Sequence, residues 1–340
     1  MCEKLPELLL PWYRENRRDL PWRKDREPYH VWLSEIMLQQ TRVEAVKDYY
    51  IRFLQKLPTI EALAQAGENT LLKLWEGLGY YSRVRNLQKA ARKIMEKYGG
   101  VFPRKKEEIL SLPGIGPYTA GAICSICFDE PIPAVDGNVL RVLSRYLACS
   151  RSVTDEKVKK EAAALLEPVY PAGHCGEFTQ ALMELGATVC GPNGAPECEA
   201  CPLRDFCLAK KLGTQMNFPV KQAKKPRRRE KRTVFILRCG EKIAVCKRPG
   251  KGLLAGLWQL PDVPGTLTAQ EAVSQASAWG VAPGGIEKTV NREHIFTHVH
   301  WELFGVYLHC GKEAAFTWVT PEELEDHIGL PTAYRQFLTE

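Results

Sequence analysis

A short glycine- and proline-containing segment between two apolar stretches constrains most strongly how this chain can fold. Leu112 ends one apolar stretch and Tyr118 opens another, while Gly114 and Gly116 bracket a single apolar residue between them. Glycine permits positive φ and close backbone approach, and Pro117 suits a first helical position because that N–H has no helical partner. The pattern predicts two helices joined by a tight turn whose outward backbone N–H groups could bind a phosphate. An ordinary helix–turn–helix corner packed in a core fits the two glycines equally well.

A lone carboxylate lies downstream of this turn, in Ala134-Val-Asp-Gly-Asn138. Asp136 precedes the apolar residues Val139 to Leu143, which predict a helix, and aspartate is a favoured helix N-cap. A carboxylate beside a bound phosphodiester could also stabilise developing positive charge. The two roles are compatible.

These two motifs together carry a family resemblance. Leu112-Pro-Gly-x-Gly-x-x-Thr-Ala120 followed by Val135-Asp-Gly-Asn138 resembles the helix–hairpin–helix DNA glycosylases related to endonuclease III. The neighbouring residues resemble the MutY branch, the adenine DNA glycosylases, and the resemblance covers essentially the whole chain. It implies a monomeric, monofunctional base-excision repair enzyme that acts on double-stranded DNA and removes adenine opposite 8-oxoguanine, and opposite guanine.

Composition is consistent with such a protein. The chain has 340 residues, 45% of them hydrophobic, and a net charge of +7, which fits two or three soluble domains and a polyanionic partner. The N-terminus lacks the order of a signal peptide, and no apolar run is long enough to span a bilayer. We therefore expect the protein in the cytoplasm with the chromosomal DNA, and twelve cysteines there argue against a disulfide framework.

The chain divides into three regions by pattern and composition. Residues 1–212 carry helical periodicity, as in Val84 to Tyr98, and predict a mostly α region. Residues 213–231 are rich in proline, lysine and arginine and predict a basic linker with some DNA contact. Residues 232–340 mix strand and helix signals and predict an α+β domain, beginning with a β-hairpin at Thr233 to Cys246.

The last region resembles the MutT-like (nudix-fold) C-terminal domain of the MutY family, through its position and Gly252-Leu-Leu-Ala-Gly-Leu-Trp-Gln-Leu-Pro261. A nucleotide-hydrolysing MutT-type enzyme needs a Glu-rich box that holds a metal ion. The predicted helix from Gln270 to Gly280 offers only Glu271. We therefore predict a recognition domain that has no hydrolase activity of its own.

Glu35 stands among the apolar residues of His30-Val-Trp-Leu-Ser-Glu-Ile-Met-Leu-Gln-Gln-Thr41. A carboxylate in such surroundings is expected to be partly buried, which raises its pKa and makes it a general acid near neutral pH. Sequence alone also permits a surface glutamate on an amphipathic helix, but this segment resembles the one that bears the family's adenine-protonating acid.

The resemblance assigns further roles around this acid. Asp136 would stabilise the oxocarbenium-like sugar, with help from Asn138 and Tyr118. Endonuclease III-type lyases carry a lysine where Tyr118 stands. The residues that would help to shape the adenine pocket are Trp22, Arg23, Leu38 and Gln180.

Two other sets match positions that face the opposite base. Gln40, Thr41 and Tyr80 match residues that enter the helix around the oxidised guanine, although Tyr80 could also be a core aromatic. Phe296-Thr297-His298 resembles the family's Phe-Ser-His loop, which reads that base. The surrounding His294-Ile-Phe-Thr-His-Val-His300 would place three histidines on one face if it were a strand, which favours a polar strand face, with metal binding as the alternative.

Four cysteines cluster in a C-x₇-C-x₂-C-x₅-C pattern within residues 190–207. Four thiolates can hold a [4Fe–4S] cluster or zinc, and spacing does not decide between them. The family pattern has six residues in the first gap, whereas Gly191 to Glu197 are seven. Because that gap contains two glycines and two prolines, we expect it to absorb the extra residue and an iron–sulfur cluster to form, with zinc as the alternative. The ligands would be Cys190, Cys198, Cys201 and Cys207.

Two rival functions remain open at this point. An endonuclease III-type glycosylase with lyase activity would carry a lysine at position 118 and lack the C-terminal domain. A non-catalytic lesion-binding protein would have lost Glu35 or Asp136, and both are present.

Overall fold

A computed structural model describes residues 2–222 and 226–338, which form two compact units. The first unit contains residues 2–65 and 85–222. The second contains Ala66–Val84 together with residues 226–338. In the part of the chain so described, no helix has both the length and the apolar character needed to cross a membrane.

The N-terminal two thirds of the chain are helical, as the periodicity predicts. The predicted helix from Val84 to Tyr98 is present, and it ends where Gly99 and Gly100 adopt φ of 59° and 83°. The helices are α1 (Leu5–Asn16), α2 (Pro28–Leu38), α3 (Val43–Lys56), α4 (Ile60–Gln65), α5 (Glu68–Leu74), α6 (Ser82–Tyr98), α7 (Lys106–Leu110), α8 (Pro117–Phe128), α9 (Gly137–Tyr146), α10 (Glu156–Leu166), α11 (Cys175–Thr188) and α12 (Leu208–Lys211).

The core of the first unit is formed where α1, α9 and α11 meet. Leu9, Leu143 and Leu182 are each at most 3% exposed in this cluster. Gly186 of α11 lies against the start of α9, because a Cβ there would stand 2.6 Å from the Cβ of Asn138. Glycine therefore lets α11 approach the segment that follows Asp136.

The second unit is built on a mixed seven-stranded sheet with the order β3-β2-β1-β6-β5, in which β4 also pairs with β1 and β7 with β2. Only the β1–β6 pair is parallel among the described strands. The elements are β1 (Arg228–Cys239), β2 (Lys242–Lys247), β3 (Trp258–Gln259), β4 (Asp262–Pro264), α13 (Ala269–Ala278), β5 (Pro283–Ile295), β6 (Val299–Cys310), β7 (Thr317–Val319), α14 (Pro321–His327) and α15 (Thr332–Arg335).

The predicted hairpin is present as β1 and β2, and β1 is the central strand of the sheet. Val234 and Ile236 pack into one apolar cluster, whereas Phe235 and Leu237 pack into another on the opposite face. A strand that is covered on both faces reads as a continuous apolar run rather than an alternating one. Glu271, the one acidic residue of the predicted Gln270 to Gly280 helix, forms a capping box with Thr268 at the start of α13.

Two features differ from the sequence pattern. Strand β1 begins at Arg228, inside the stretch predicted as linker, because Arg228 pairs in parallel with Val299 of β6. Residues 223–225 of that stretch lie outside the described residues. The three histidines between 294 and 300 do not share a strand face, since β5 ends at Ile295 and β6 begins at Val299.

Candidate active site

The predicted helix–turn–helix segment is a hairpin between α7 and α8. Pro117 is the first residue of α8, as predicted. Gly114 has φ of 81°, and a Cβ on it would stand 2.7 Å from the Cβ of Asn86, so this position requires glycine. Gly116 caps α8 in an extended conformation with open space where its Cβ would be. The backbone at Gly116 is therefore accessible to a ligand.

Glu35 is a buried carboxylate on α2, only 6% exposed. Every residue from Val31 to Met37 is buried with it. The Tyr118 hydroxyl donates a hydrogen bond to Glu35 Oε2. Burial raises the pKa of Glu35 from 4.5 to about 7; the Tyr118 hydrogen bond and Arg23 oppose the rise, and the charge of Asp136 adds to it. The group can therefore both give and take a proton near neutral pH.

Asp136 is the N-cap of α9, and its carboxylate faces the same site. Its Oδ1 accepts from Val139 N, and its Oδ2 accepts from Asn138 Nδ2, both at 2.7 Å. Burial raises the pKa of Asp136, whereas these hydrogen bonds favour the ionised form. The predicted cap is thus present, and the half-buried Asp136 carboxylate is close enough to Glu35 to influence its pKa.

Asn138 is held in turn by Arg141, a buried residue that sequence reasoning missed. Arg141 Nη2 donates to Asn138 Oδ1 at 2.7 Å and to Gly186 O at 2.6 Å, and its Nε donates to Cys190 O at 2.8 Å. Because Arg141 engages the Asn138 oxygen, the amide NH₂ group is directed to Asp136. A hydrogen-bonded chain therefore runs from Asp136 to the first cysteine of the cluster.

Of the four predicted adenine-pocket residues, the structure links Arg23 and Gln180 through Tyr13. The Arg23 guanidinium lies over the Tyr13 ring at 5.6 Å, and the Tyr13 hydroxyl donates to Gln180 Oε1 at 3.1 Å. Trp22 precedes Arg23 on one 3₁₀ turn and packs edge-on against Tyr50 at 5.6 Å. Leu38 ends α2, about one helical turn beyond Glu35.

A second buried carboxylate, Glu184 on α11, was also missed by sequence reasoning. Its oxygens accept from Arg18 Nε at 2.7 Å and from Arg23 Nη2 at 2.7 Å, and its side chain is fully buried. Burial would raise the pKa of Glu184, but these hydrogen bonds outweigh it and lower the pKa to about 2. The signal was available, because Glu184 stands between buried Leu182 and Leu185 as Glu35 stands among apolar residues.

The four clustered cysteines line one pocket of the first unit, together with Arg145, Arg204 and Lys210. Glu197 N donates to Val189 O at 3.0 Å, so the long first gap closes on itself as a loop. Arg145 Nη1 lies 3.2 Å from Cys190 Sγ and 3.0 Å from Gly191 O. Across residues 2–222 and 226–338, no group of three or more His, Cys, Asp or Glu side chains is arranged to hold a metal ion as it stands. The donor set of four thiols beside three cationic side chains fits an anionic thiolate-bound group.

The residues predicted to face the opposite base lie in both units. In the first, Gln40 and Thr41 form the turn after α2, where Gln40 is exposed with φ of 60°. In the second, Tyr80 is 50% exposed with φ of 46°, so it is not a core aromatic. Its hydroxyl lies 2.6 Å from Thr297 Oγ1. The structure thus joins two residues that are 217 positions apart in the sequence.

Phe296, Thr297 and His298 form the turn between β5 and β6. Phe296 N donates to Val299 O at 2.8 Å, and the Phe296 ring packs against Trp301 with centroids 4.9 Å apart. Thr297 and His298 are exposed at the tip. Arg227 Nε donates to Phe296 O and Arg228 N to His298 O, each at 3.0 Å. The basic stretch is therefore anchored directly to this turn.

Comparison with known proteins places both regions of the chain in known families. A family model described as HhH-GPD superfamily base excision DNA repair protein matches residues 33–168, and a NUDIX domain model matches residues 233–340. Among solved structures, a thermostable thymine-DNA glycosylase has a TM-score of 0.55 and is 30% identical, covering 61% of this chain and 94% of that one. An endonuclease III in a non-covalent complex with DNA has a TM-score of 0.53 and is 25% identical, covering 62% and 95%. The fold of the first unit is that of a helix–hairpin–helix DNA glycosylase.

Sequence relatives narrow this class further. The adenine DNA glycosylase of Rattus norvegicus is 37% identical over 383 residues, covering 94% of this chain and 74% of the rat protein. That of Homo sapiens is 36% identical over 386 residues, covering 93% and 70%, and that of Schizosaccharomyces pombe is 33% identical over 408 residues, covering 96% and 87%. This chain therefore belongs to the adenine DNA glycosylase family, base-excision repair enzymes that hydrolyse N-glycosyl bonds.

Proposed function

We propose that this chain removes adenine from double-stranded DNA where it is paired with 8-oxoguanine or guanine, and that it leaves the strand uncut. The observation that carries the proposal is the buried carboxyl of Glu35 with a second carboxylate, the half-buried Asp136, near it. Glu35 has a pKa of about 7 and is hydrogen-bonded to Tyr118, and Asp136 lies close to it. The matched relatives are named for adenine excision, which supports the choice of base.

The chemistry begins with Glu35. The target nucleotide must first leave the base stack to reach the site, at a cost of a few kcal/mol. Adenine is a poor leaving group unless its ring nitrogen N7 is protonated. The Glu35 carboxyl gives its proton to adenine N7, the bond from C1′ to N9 breaks, and its electron pair stays with the base. Water then adds to C1′ and gives a proton back to the Glu35 carboxylate.

The intervening sugar is oxocarbenium-like and positively charged. The Asp136 carboxylate stabilises that charge, and the hydrogen bonds from Val139 N and Asn138 favour its ionised form. Tyr118 donates to Glu35 and fixes the orientation of the acid. Burial, and then the neighbouring carboxylates, raise the pKa of Tyr118 well above its usual value, so the phenol remains a donor.

Adenine is bound by Trp22, Arg23, Leu38 and Gln180 in this proposal. The contacts of Arg23 with Glu184 and Tyr13 support a fixed position for its guanidinium. Glu184 neutralises that guanidinium and would leave it as an oriented hydrogen-bond donor.

The DNA contacts outside the adenine pocket are of two kinds, those to a backbone phosphate and those to the base opposite adenine. The backbone at Gly114 and Gly116 binds a phosphate, and the open space at Gly116 supports this. Gln40 and Thr41 contact the opposite base from the turn after α2, and Tyr80 acts as a wedge. Phe296, Thr297 and His298 read the oxidised guanine; the exposure of Thr297 and His298 at a hairpin tip supports that role.

Cys190, Cys198, Cys201 and Cys207 would hold a [4Fe–4S] cluster in this proposal. Such a cluster would cross-link the loop of residues 190–207 and hold it in shape for DNA contact. Arg145, Arg204 and Lys210 line the same pocket and would offset the cluster's negative charge. Iron, sulfide and zinc analysis of anaerobically purified protein tests this, and one zinc without iron in a folded protein would refute it.

A single-turnover assay distinguishes the proposed activity from the two rival functions, an endonuclease III-type lyase and a non-catalytic lesion-binding protein. Duplexes with adenine opposite 8-oxoguanine or guanine should yield free adenine and a strand that breaks only after alkali. Strand cleavage without alkali would favour the endonuclease III-type lyase, and binding without excision would favour the lesion-binding protein. Tyr118→Lys adds the amine that a lyase uses, so it should gain a borohydride-trappable adduct if position 118 faces the sugar.

A further inference from the structure

The segment Ala66–Val84 belongs to the second unit, although it lies far in sequence from the rest of that unit. Gly329, just after α14, approaches α5 so closely that a Cβ there would stand 3.2 Å from the carbonyl of Leu72. Trp258 Nε1 donates to Asn69 Oδ1 at 3.4 Å. The segment that carries Tyr80 is therefore packed onto the C-terminal domain.

Glu76 binds this segment to residues that follow α14. Its Oε1 accepts from Leu330 N at 2.9 Å and from Arg335 Nη1 at 2.9 Å, and its Oε2 pairs with Lys73 Nζ at 2.8 Å. The Glu76 side chain is 13% exposed. A mostly buried carboxylate that accepts a backbone N–H and a guanidinium fixes geometry better than an exposed ion pair.

The loop that follows Glu76 is braced from within. Trp75 Nε1 donates to Gly79 O at 3.1 Å, and Arg83 Nη2 donates to Leu78 O at 2.9 Å and Gly79 O at 3.2 Å. The Arg83 guanidinium also lies over the Trp75 ring at 5.3 Å and the Tyr80 ring at 5.6 Å. A loop held at both sides transmits the position of Glu76 to Tyr80.

Tyr80 contacts the turn between β5 and β6, which contains Thr297. Its hydroxyl lies 2.6 Å from Thr297 Oγ1, at an exposed contact. Such a contact between exposed hydroxyls holds two loops together only weakly. Its geometry therefore depends on what fixes the loops themselves, namely the Glu76 contacts on one side and the β5–β6 turn on the other.

We propose that Glu76 and Arg335 are positioning residues for recognition of the base opposite adenine. They set the wedge, Tyr80, at a fixed place relative to the reader, Thr297, so that the two act on one base as a unit. This inference rests on the proposed function. It also means that removing residues 232–340 would remove the reader and the support of the wedge together, so truncation cannot separate them.

Point variants in the full-length protein separate the support of the wedge, Tyr80, from the reader, Thr297. Glu76→Gln removes the negative charge from the contact between the segment and α15, and Arg335→Met removes the guanidinium donor, whereas Glu68→Gln is the matched control. Glu68 is on the same segment but is 53% exposed, and its ion pair with Lys247 Nζ is long, at 3.9 Å. Arg335→Met provides an independent test should Glu76→Gln fold poorly.

The measured quantity is the ratio of single-turnover excision rates for adenine opposite 8-oxoguanine and opposite guanine. A charge-assisted contact of this kind corresponds to a factor of roughly ten, so the ratio should fall about tenfold in both variants. The rate opposite guanine should stay within about twofold, and Glu68→Gln should match wild type. A folded Glu76→Gln protein with an unchanged ratio would overturn the proposal, as would an equal loss of both rates.

Hydrogen exchange of the backbone amides from 76 to 84 gives a readout that does not depend on activity. Exchange should accelerate in Glu76→Gln and Arg335→Met and not in Glu68→Gln. If wild type shows no preference for 8-oxoguanine, the proposed function fails on that result. Accelerated exchange would then still support the fastening role of Glu76, and unchanged exchange would overturn it.

Discussion

Replacing Glu35 by glutamine should slow excision severely and yet stabilise the protein above neutral pH. Burial raises the pKa of this carboxyl from 4.5 to about 7. Each pKa unit corresponds to about 1.4 kcal/mol, so ionising Glu35 in the folded protein costs about 3 kcal/mol of stability. Glutamine keeps the shape without the charge and escapes this cost. The catalytic loss should be on the order of 10²–10⁴-fold, because the general acid is gone.

The sign of the stability effect follows from the direction of the shift. A carboxyl whose pKa is higher in the folded than in the unfolded state makes its full contribution to stability below the unfolded pKa of 4.5. That contribution is lost as the pH rises toward the folded value of about 7. The stability of wild type relative to the variant should therefore fall by about 2.5 kcal/mol between about pH 5 and about pH 8.5.

Urea unfolding followed by the helical circular dichroism signal measures this difference, because the helical unit dominates that signal. Glu7→Gln, at an exposed position of α1, is the matched control, and its gap to wild type should not change with pH. A Glu35→Gln gap that is the same at both pH values would show that Glu35 is already ionised without penalty, and the argument for a buried general acid would fail.

Four further outcomes follow from the same geometry. Tyr118→Phe removes a hydrogen bond that lowers the pKa of Glu35, so the loss of single-turnover excision at high pH should move to higher pH; an unchanged limb would contradict this. Asp136→Asn should slow excision by about 10²–10³-fold with duplex binding retained, and a near-normal rate would leave Asp136 as a helix cap only. Gly114→Ala should cost roughly 1–3 kcal/mol of stability, because φ is 81° and Asn86 is in contact. Gly116→Ala should unfold like wild type yet bind duplex more weakly, and unchanged binding would argue against a phosphate contact there.

The local chemistry of the site could be predicted because it is encoded in short segments. Glu35 stands alone among apolar neighbours, and Asp136 stands one residue before a helix, so burial and capping both follow from nearby residues. Glu184 has apolar neighbours that indicate burial, but the roles of Glu184 and Arg141 depend on partners, Arg18 and Cys190 among them, that lie on other segments. The neighbouring residues can indicate that such a charge is buried, but not which group it pairs with.

Sequence by itself determined the helices, the hairpin at Gly114, the capping of α9 and the first strand pair, since each depends on residues within a few positions. Only the tertiary structure decided that Ala66–Val84 joins the C-terminal unit and that β1 extends back to Arg228. Both depend on contacts across more than sixty positions, with residues near Arg335 and with Val299. Local periodicity carries no information about such pairings, because the apolar area and hydrogen bonds that stabilise them arise only when distant segments meet.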